Sequence, residues 1–226
     1  MRIIFFLLIF SVFLSSGYAQ VFTKGSVDYY INKAKYYAAS RNFEAAISSL
    51  TKAIETDPSL AITYFYRANV YNNWMHKYDE AIADYTSAIE RDPLFKIAYI
   101  CRVDLLEKKG LYDQAIADYA KLRELCPPLE MDCPHFYYRA AQLCEKAERI
   151  EEAIKLYREF IPLALETSAA LRYPQQDLFH QKIVKAKKKV RELSWKIGKP
   201  VFISTSIDRK ASSKDSQEED SEDKNE

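Results

Sequence analysis

A sequence pattern that recurs about every 34 residues is the feature that most limits how this chain can fold. The stretch Tyr78–Pro93 has one counterpart that begins at Phe43 and another that begins at Tyr112. In each copy the apolar residues fall on one stripe of a helix, and a proline follows that helix. A repeat of this length is typical of stacked two-helix modules, since one module alone is too small to bury its apolar face.

A second apolar pattern precedes each of these stretches and predicts the first helix of each repeat. Its residues are Tyr30, Ala34 and Tyr37; Tyr64, Ala68 and Tyr71; Tyr99, Val103 and Leu106; and Phe136, Ala140 and Leu143. The fourth repeat is the least regular, and its second helix is expected to end or kink at Pro162. We therefore predict four helix-turn-helix repeats over residues 27–60, 61–95, 96–131 and 132–170.

The turns between these helices are expected to be short. The chain has only 4 glycines in 226 residues, which disfavours a turn-rich β architecture and suits long helices. The turn of the second repeat, between Asn72 and Lys77, contains one residue more than its counterpart in the first repeat.

Small residues recur where the two helices of a repeat would press closest together. In this respect, and in the aromatic residues and terminal prolines, the chain resembles the tetratricopeptide repeat family from about Ser26 to Ala170. It departs from the family pattern at Val103, Leu122 and Phe160, which are larger than the family favours. The resemblance implies an all-α, right-handed α-solenoid of four repeats over residues 27–173, followed by a capping helix. The small residues are Ala34, Ala68, Ala140, Ala46, Ala81, Ala115 and Ala153.

The same resemblance implies that the first helices line a concave groove that binds a peptide or a partner protein. The groove residues would be Ile31, Lys35, Phe65, Asn69, Asn72, Ile100, Asp104 and Tyr137. Other interpretations are open, because Asn72 could simply end a helix and Ile100 could belong to the core between repeats. Family members that grip the tail of heat-shock chaperones use a Lys/Asn/Arg clamp, and apolar or aromatic residues such as Ile31 and Tyr66 occupy most of those places here. Recognition of a terminal carboxylate is therefore not expected.

One arginine stands in the first helix of each of the last three repeats, at Arg67, Arg102 and Arg139. The three could form a basic ladder for anionic ligands. Alternatively, each could lie over neighbouring aromatic rings and pair with an acidic residue of an adjoining helix, which is the interpretation that we favour.

Residues 174–198 predict an amphipathic capping helix, because their apolar residues again recur at spacings of three and four. The opposite face is basic and includes Lys185, Lys187, Lys188, Lys189 and Arg191. This face could simply be solvated, or it could bind an anionic surface or polymer. Residues 199–226 are acidic, and we expect a disordered tail there.

The amino terminus predicts a secretory signal peptide over residues 1–19, with cleavage before Gln20. Its apolar core is shorter than the roughly 20 residues that span a bilayer, and we expect no integral membrane segment after cleavage. We expect a periplasmic or extracellular protein, for which nucleic acid is not an expected partner. Self-association through the first repeat is a further expectation, because no amino-terminal cap is evident.

Four cysteines in an exported chain permit disulfides, and Cys126 and Cys133 flank the longest stretch between two repeats. We consider a bridge between these two residues, although buried unpaired cysteines would give the same pattern. The sequence contains no motif for catalysis, no cofactor site and no metal-ligand spacing. The sequence thus predicts an exported interaction scaffold rather than an enzyme.

Overall fold

The computed structural model describes residues 24–126, 132–170 and 175–199, and the regular elements in these ranges are all helical. The predicted signal peptide lies outside the described residues, and so does the predicted tail beyond Lys199. The helices are α1 (Val27–Ala39), α2 (Phe43–Thr56), α3 (Ala61–Val70), a π-helical turn (Tyr71–Met75), α4 (Tyr78–Arg91), α5 (Lys96–Lys108), α6 (Tyr112–Glu124), α7 (Asp132–Lys146), α8 (Ile150–Ala170) and α9 (Gln175–Lys196). None of the helices in these ranges has the length and apolar character that crossing a bilayer requires.

The chain divides into two compact units, Met1–Leu111 and Tyr112–Glu226. The described helices of the first unit are α1 to α5, and those of the second are α6 to α9. In the first unit, α1 packs on α2 and α3 packs on α4. In the second, α7 packs on α8, and α8 packs on α9. Helix pairs of the expected kind therefore form within each unit.

Small residues lie at the helix contacts of the first unit, as the sequence predicts. Ala46, Ala68 and Ala81 are each fully buried. Ala68 and Ala81 share one core cluster with Tyr85 and Leu105, which are also fully buried. A methyl group at these crossings lets the backbones approach closely enough for the large residues beside them to fill the remaining space.

An Asp-Pro pair follows the second helix in each of the first two repeats, and the aspartate side chain stabilises the turn there by accepting hydrogen bonds from the residue two positions later. Asp57 Oδ1 accepts hydrogen bonds from the backbone N–H and the hydroxyl of Ser59, at 2.9 and 2.6 Å. These bonds hold the pKa of the Asp57 carboxyl below its ordinary value. Asp92 Oδ1 accepts the backbone N–H of Leu94 at 3.0 Å in the next repeat. Aspartate favours such turns because its side chain can replace a backbone acceptor two residues away. The hydroxyls of Tyr64 and Tyr99 donate to the carbonyl oxygens of Pro58 and Pro93, each at 3.3 Å.

Arg67 and Arg102, in the first helices of the second and third repeats, bind neighbouring helices. Arg67 forms a two-pronged ion pair with Asp84, at 2.7 and 2.8 Å, and also donates to Thr51 Oγ1 at 3.0 Å. Hydrogen bonding to Asp84 raises the pKa of the Arg67 guanidinium above its ordinary value. Arg102 repeats part of this arrangement, since it donates to Thr86 Oγ1 at 2.8 Å. Arg67 and Arg102 thus hold successive helices together, and Arg67 does so through a carboxylate that is itself buried.

In the second unit, α9 buries the apolar stripe that the sequence predicts for the capping helix. Phe179, Ile183, Ala186, Val190 and Leu193 are all buried. Helix α8, against which α9 packs, continues past Pro162 rather than ending there. A disulfide joins Cys126 to Cys133 and so connects the segment after α6 with the first turn of α7.

Candidate functional site

The first unit contains an apolar pocket between α1 and α3. Its volume is about 270 Å³. The wall is mainly aliphatic and aromatic, and it also includes two amide side chains and one lysine. The lining residues are Ile31, Ala34, Lys35, Ala38, Leu50, Tyr66, Asn69, Val70, Asn73 and Trp74. A concave apolar surface with a few polar groups is typical of a ligand site.

The π-helical turn after α3 forms one wall of this pocket. It begins at Tyr71 and places Asn73 and Trp74 at the pocket. The turn ends at Met75, and the next residue, His76, adopts the left-handed conformation with φ 54°. The Trp74 ring stacks on Phe43 at a centroid distance of 5.5 Å, and the side chain remains 47% exposed. The extra residue that the sequence shows in this turn is therefore accommodated by a wider helical turn, a feature that is frequent at functional sites.

A polar pocket of about 420 Å³ adjoins the apolar one, and the two share Asn69 and Asn73. Its charged groups are Asp104 and Lys108, and the Lys108 ammonium lies 5.6 Å from the ring centroid of Tyr78. The lining residues are Asn69, Asn72, Asn73, His76, Tyr78, Cys101, Asp104 and Lys108. The amides of Asn69 and Asn73 thus stand where the apolar and the polar surfaces meet.

Asn69 is held in one orientation by a buried tyrosine. The Tyr85 hydroxyl donates to Asn69 Oδ1 at 2.6 Å. Burial raises the pKa of Tyr85 well above its ordinary value, so the hydroxyl keeps its proton and remains a donor at neutral pH. Because the amide oxygen of Asn69 accepts this bond, its amide nitrogen remains as a donor for a ligand.

The Cys101 thiol of the polar pocket does not lie in an activating environment. Cys101 lies in its wall, and partial burial raises the pKa of this thiol. A thiol with a raised pKa is protonated at neutral pH and reacts slowly. Within the described ranges, no group of three or more His, Cys, Asp or Glu side chains could hold a metal ion.

The structure places the predicted groove residues in different surroundings. Ile31, Lys35 and Asn69 line the apolar pocket, and Asn69, Asn72 and Asp104 line the polar one. The lining of these two pockets does not include Phe65 or Ile100. Phe65 packs instead on Phe95 and Tyr85, at centroid distances of 5.1 and 5.8 Å. Tyr137 belongs to the second unit, where the Arg123 guanidinium lies 4.9 Å from its ring centroid.

Two aromatic residues in the wall of the apolar pocket, Tyr66 and Trp74, are not among the residues predicted from the sequence. Trp74 was not among the predicted site residues, although the extra residue in its turn was visible in the sequence. The sequence-based prediction names Tyr66 only among the residues that replace the chaperone-tail clamp. Its ring centroid lies 4.9 Å from the Lys35 ammonium, a cation–π geometry that orients this lysine.

The basic residues of α9 also differ from the sequence-based expectation. Lys187 is buried, with 6% of its surface exposed, so the prediction that it shares the solvated basic face is wrong. Lys189 is half-buried, and its ammonium donates to Glu145 Oε2 at 2.8 Å. Glu145 also accepts the Tyr157 hydroxyl at 2.5 Å. Of the predicted cluster, Lys185, Lys188 and Arg191 remain exposed.

Comparisons with known proteins agree with this fold. One model of the tetratricopeptide repeat matches residues 75–130, and a second matches residues 27–60 and 134–165. A crystal structure of MamA is 20% identical with a TM-score of 0.54, and the match covers 65% of this chain and 83% of that chain. A MamA structure from Desulfovibrio magneticus RS-1, which starts at residue 41, is 14% identical with a TM-score of 0.50, and the match covers 74% and 96%. These two likenesses show the fold alone. No curated protein sequence matches the chain.

Proposed function

Because the chain belongs to the tetratricopeptide repeat family, whose arrays are protein–protein interaction scaffolds, we propose that its first unit binds an extended peptide of a partner protein. The peptide lies across the apolar and polar pockets. One apolar side chain of the peptide enters the apolar pocket between α1 and α3. The amides of Asn69 and Asn73 hydrogen-bond the peptide backbone where the two pockets meet.

The observation that carries this proposal is the continuity of the two pockets through shared asparagines. A purely apolar cavity would bind many small molecules with little discrimination. A peptide, in contrast, presents both apolar side chains and a polar backbone at short intervals, which matches an apolar wall next to oriented amides. Asn69 is oriented before binding by Tyr85, so less entropy is lost when the ligand is held.

Filling the apolar pocket tests the proposal. Peptides selected from a random display library on the parent chain should bind the Ala38→Leu variant at least about tenfold more weakly, since the added side chain occupies the space that the ligand needs. Ala38 lines the pocket, whereas its neighbour Ala39 is exposed at the end of α1, so Ala39→Leu is the matched control. Affinities are measured by fluorescence polarisation with the selected peptides. Equal affinity of the two variants, or failure to select any peptide, would contradict groove binding.

The compartment is part of the same proposal: the chain is exported and acts in the periplasm or outside the cell. The disulfide between Cys126 and Cys133 supports it, because such bonds persist in oxidising compartments. When the full sequence is expressed in a bacterial host, we expect the exported fraction to contain a chain that begins at Gln20, as measured by intact-protein mass spectrometry. A chain that keeps Met1 and stays with the cytoplasmic fraction would count against export.

A further inference from the structure

The outer face of α9 carries an exposed stripe that combines apolar and cationic side chains. Val184, Lys188, Arg191 and Trp195 are separated by four, three and four residues, which places them on one line along the helix. Trp195 is 77% exposed and Val184 is 47% exposed, while the Lys188 side chain is 76% exposed. The buried stripe of the same helix, from Phe179 to Leu193, lies on the opposite side.

This stripe is part of a face with a strong positive balance. Between residues 179 and 196, the exposed cationic side chains of α9 are Lys185, Lys188, Arg191 and Lys196, and the exposed acidic one is Glu192. Glu192 lies 3.9 Å from the ammonium groups of both Lys188 and Lys189, which offsets part of the charge of those lysines. Four cations against one carboxylate leave the face positive, and an anionic partner is favoured.

We propose that this face of α9 docks on an anionic lipid surface, with Trp195 and Val184 at the level of the headgroups and the lysines and arginine against anionic lipids. An interfacial helix of this kind lies in the plane of the membrane and needs both an apolar and a cationic component. Tryptophan is enriched at membrane–water interfaces because it has an apolar ring and a polar N–H. Lysine and arginine near an anionic leaflet each add to the binding strength.

Other occupants satisfy only one of the two components. A second copy of the same face would place cations opposite cations, which opposes association. An acidic polymer or an acidic segment would neutralise the cations but leave Trp195 and Val184 in water. The lipid interface is the partner that accounts for the tryptophan and the charges together.

Vesicle partitioning with the mature full chain tests this inference. We expect the chain to sediment with vesicles that contain phosphatidylglycerol and not with vesicles of phosphatidylcholine alone. The double variant K188Q/R191Q should partition about 25-fold more weakly, at about fivefold for each charge removed. The variant W195A should partition about tenfold more weakly, because it loses the interfacial ring. The matched control K52Q/K155Q removes two exposed lysines from other helices and should partition like the parent.

The outcomes separate lipid binding from its alternatives. If W195A partitions like the parent while K188Q/R191Q is weakened, the contact is purely electrostatic, and the proposed docking with Trp195 at the level of the headgroups is overturned. If phosphatidylglycerol vesicles and neutral vesicles bind equally, or if neither binds, it is also overturned. Both α9 variants should bind groove-selected peptides as the parent does, and far-ultraviolet circular dichroism checks that their helices are intact. Failure of lipid binding is thereby distinguishable from failure of the groove.

Discussion

Replacing Ala81 by leucine should lower the free energy of unfolding by about 3 kcal/mol, one of the two largest effects that we expect from a single substitution. Ala81 is fully buried in α4 and shares a cluster with Ala68, Tyr85 and Leu105. The core around it has no room for three further carbon atoms, so the helices must separate or the side chains must adopt strained rotamers. Chemical denaturation followed by circular dichroism measures the change.

Ala83→Leu is the matched control, because Ala83 is exposed on the same helix. Alanine and leucine have similar helix propensities, so this variant should unfold within about 0.5 kcal/mol of the parent. If the Ala81 and Ala83 variants unfold at the same denaturant concentration, close helix approach at Ala81 is not what stabilises the first unit.

Replacing Asp84 by asparagine should destabilise the first unit by about 3 kcal/mol, for a different reason. The Asp84 side chain is 8% exposed and the Arg67 side chain 19% exposed. Asparagine keeps the size of the side chain but removes the charge, and the arginine is then left without its carboxylate in a largely buried position. Arg67 would then have only neutral acceptors, Thr51 Oγ1 and the single amide oxygen of the new asparagine, whose amide N–H2 group would face the N–H donors of the guanidinium. Denaturation curves again give the change in free energy.

Two further variants test whether the destabilisation by D84N comes from leaving the buried Arg67 charge without its carboxylate. Asp79→Asn removes the carboxylate of a surface ion pair with Lys109, in which Asp79 is 78% exposed, and should cost at most about 1 kcal/mol. The double variant Arg67→Met with Asp84→Leu removes both buried charges and should recover most of the stability that D84N loses. If the double variant is less stable than D84N, the destabilisation by D84N does not come from an uncompensated charge on Arg67.

The repeat itself could be predicted from the sequence because its determinants are local. The spacing of Ala46, Tyr85 and their equivalents, and the Asp-Pro corners, depend on residues within one or two helical turns. The apolar stripe of α9 is of the same kind, and it is buried as predicted. Two models of the tetratricopeptide repeat match the chain, which agrees with the predicted family.

The composition of the candidate site was harder to predict because it depends on contacts between distant segments. Phe65 occupies a first helix as expected, but the ring of Phe95, from the corner before α5, packs against it. Lys187 lies four residues after Ile183 and three before Val190, a spacing typical of a core position, and it is buried. Because lysine is charged, the sequence predicts instead that it is exposed. Local spacing determines the side of the helix on which a side chain lies, whereas its exposure depends on which other segments pack against that side.

The π-helical turn at Tyr71–Met75 has a consequence for how such proteins diversify. One additional codon at this position widens a single helical turn while the close-packed helices on either side keep their alanine contacts. The surface of one repeat can therefore change through a single inserted residue while the packed helices beside it keep their contacts.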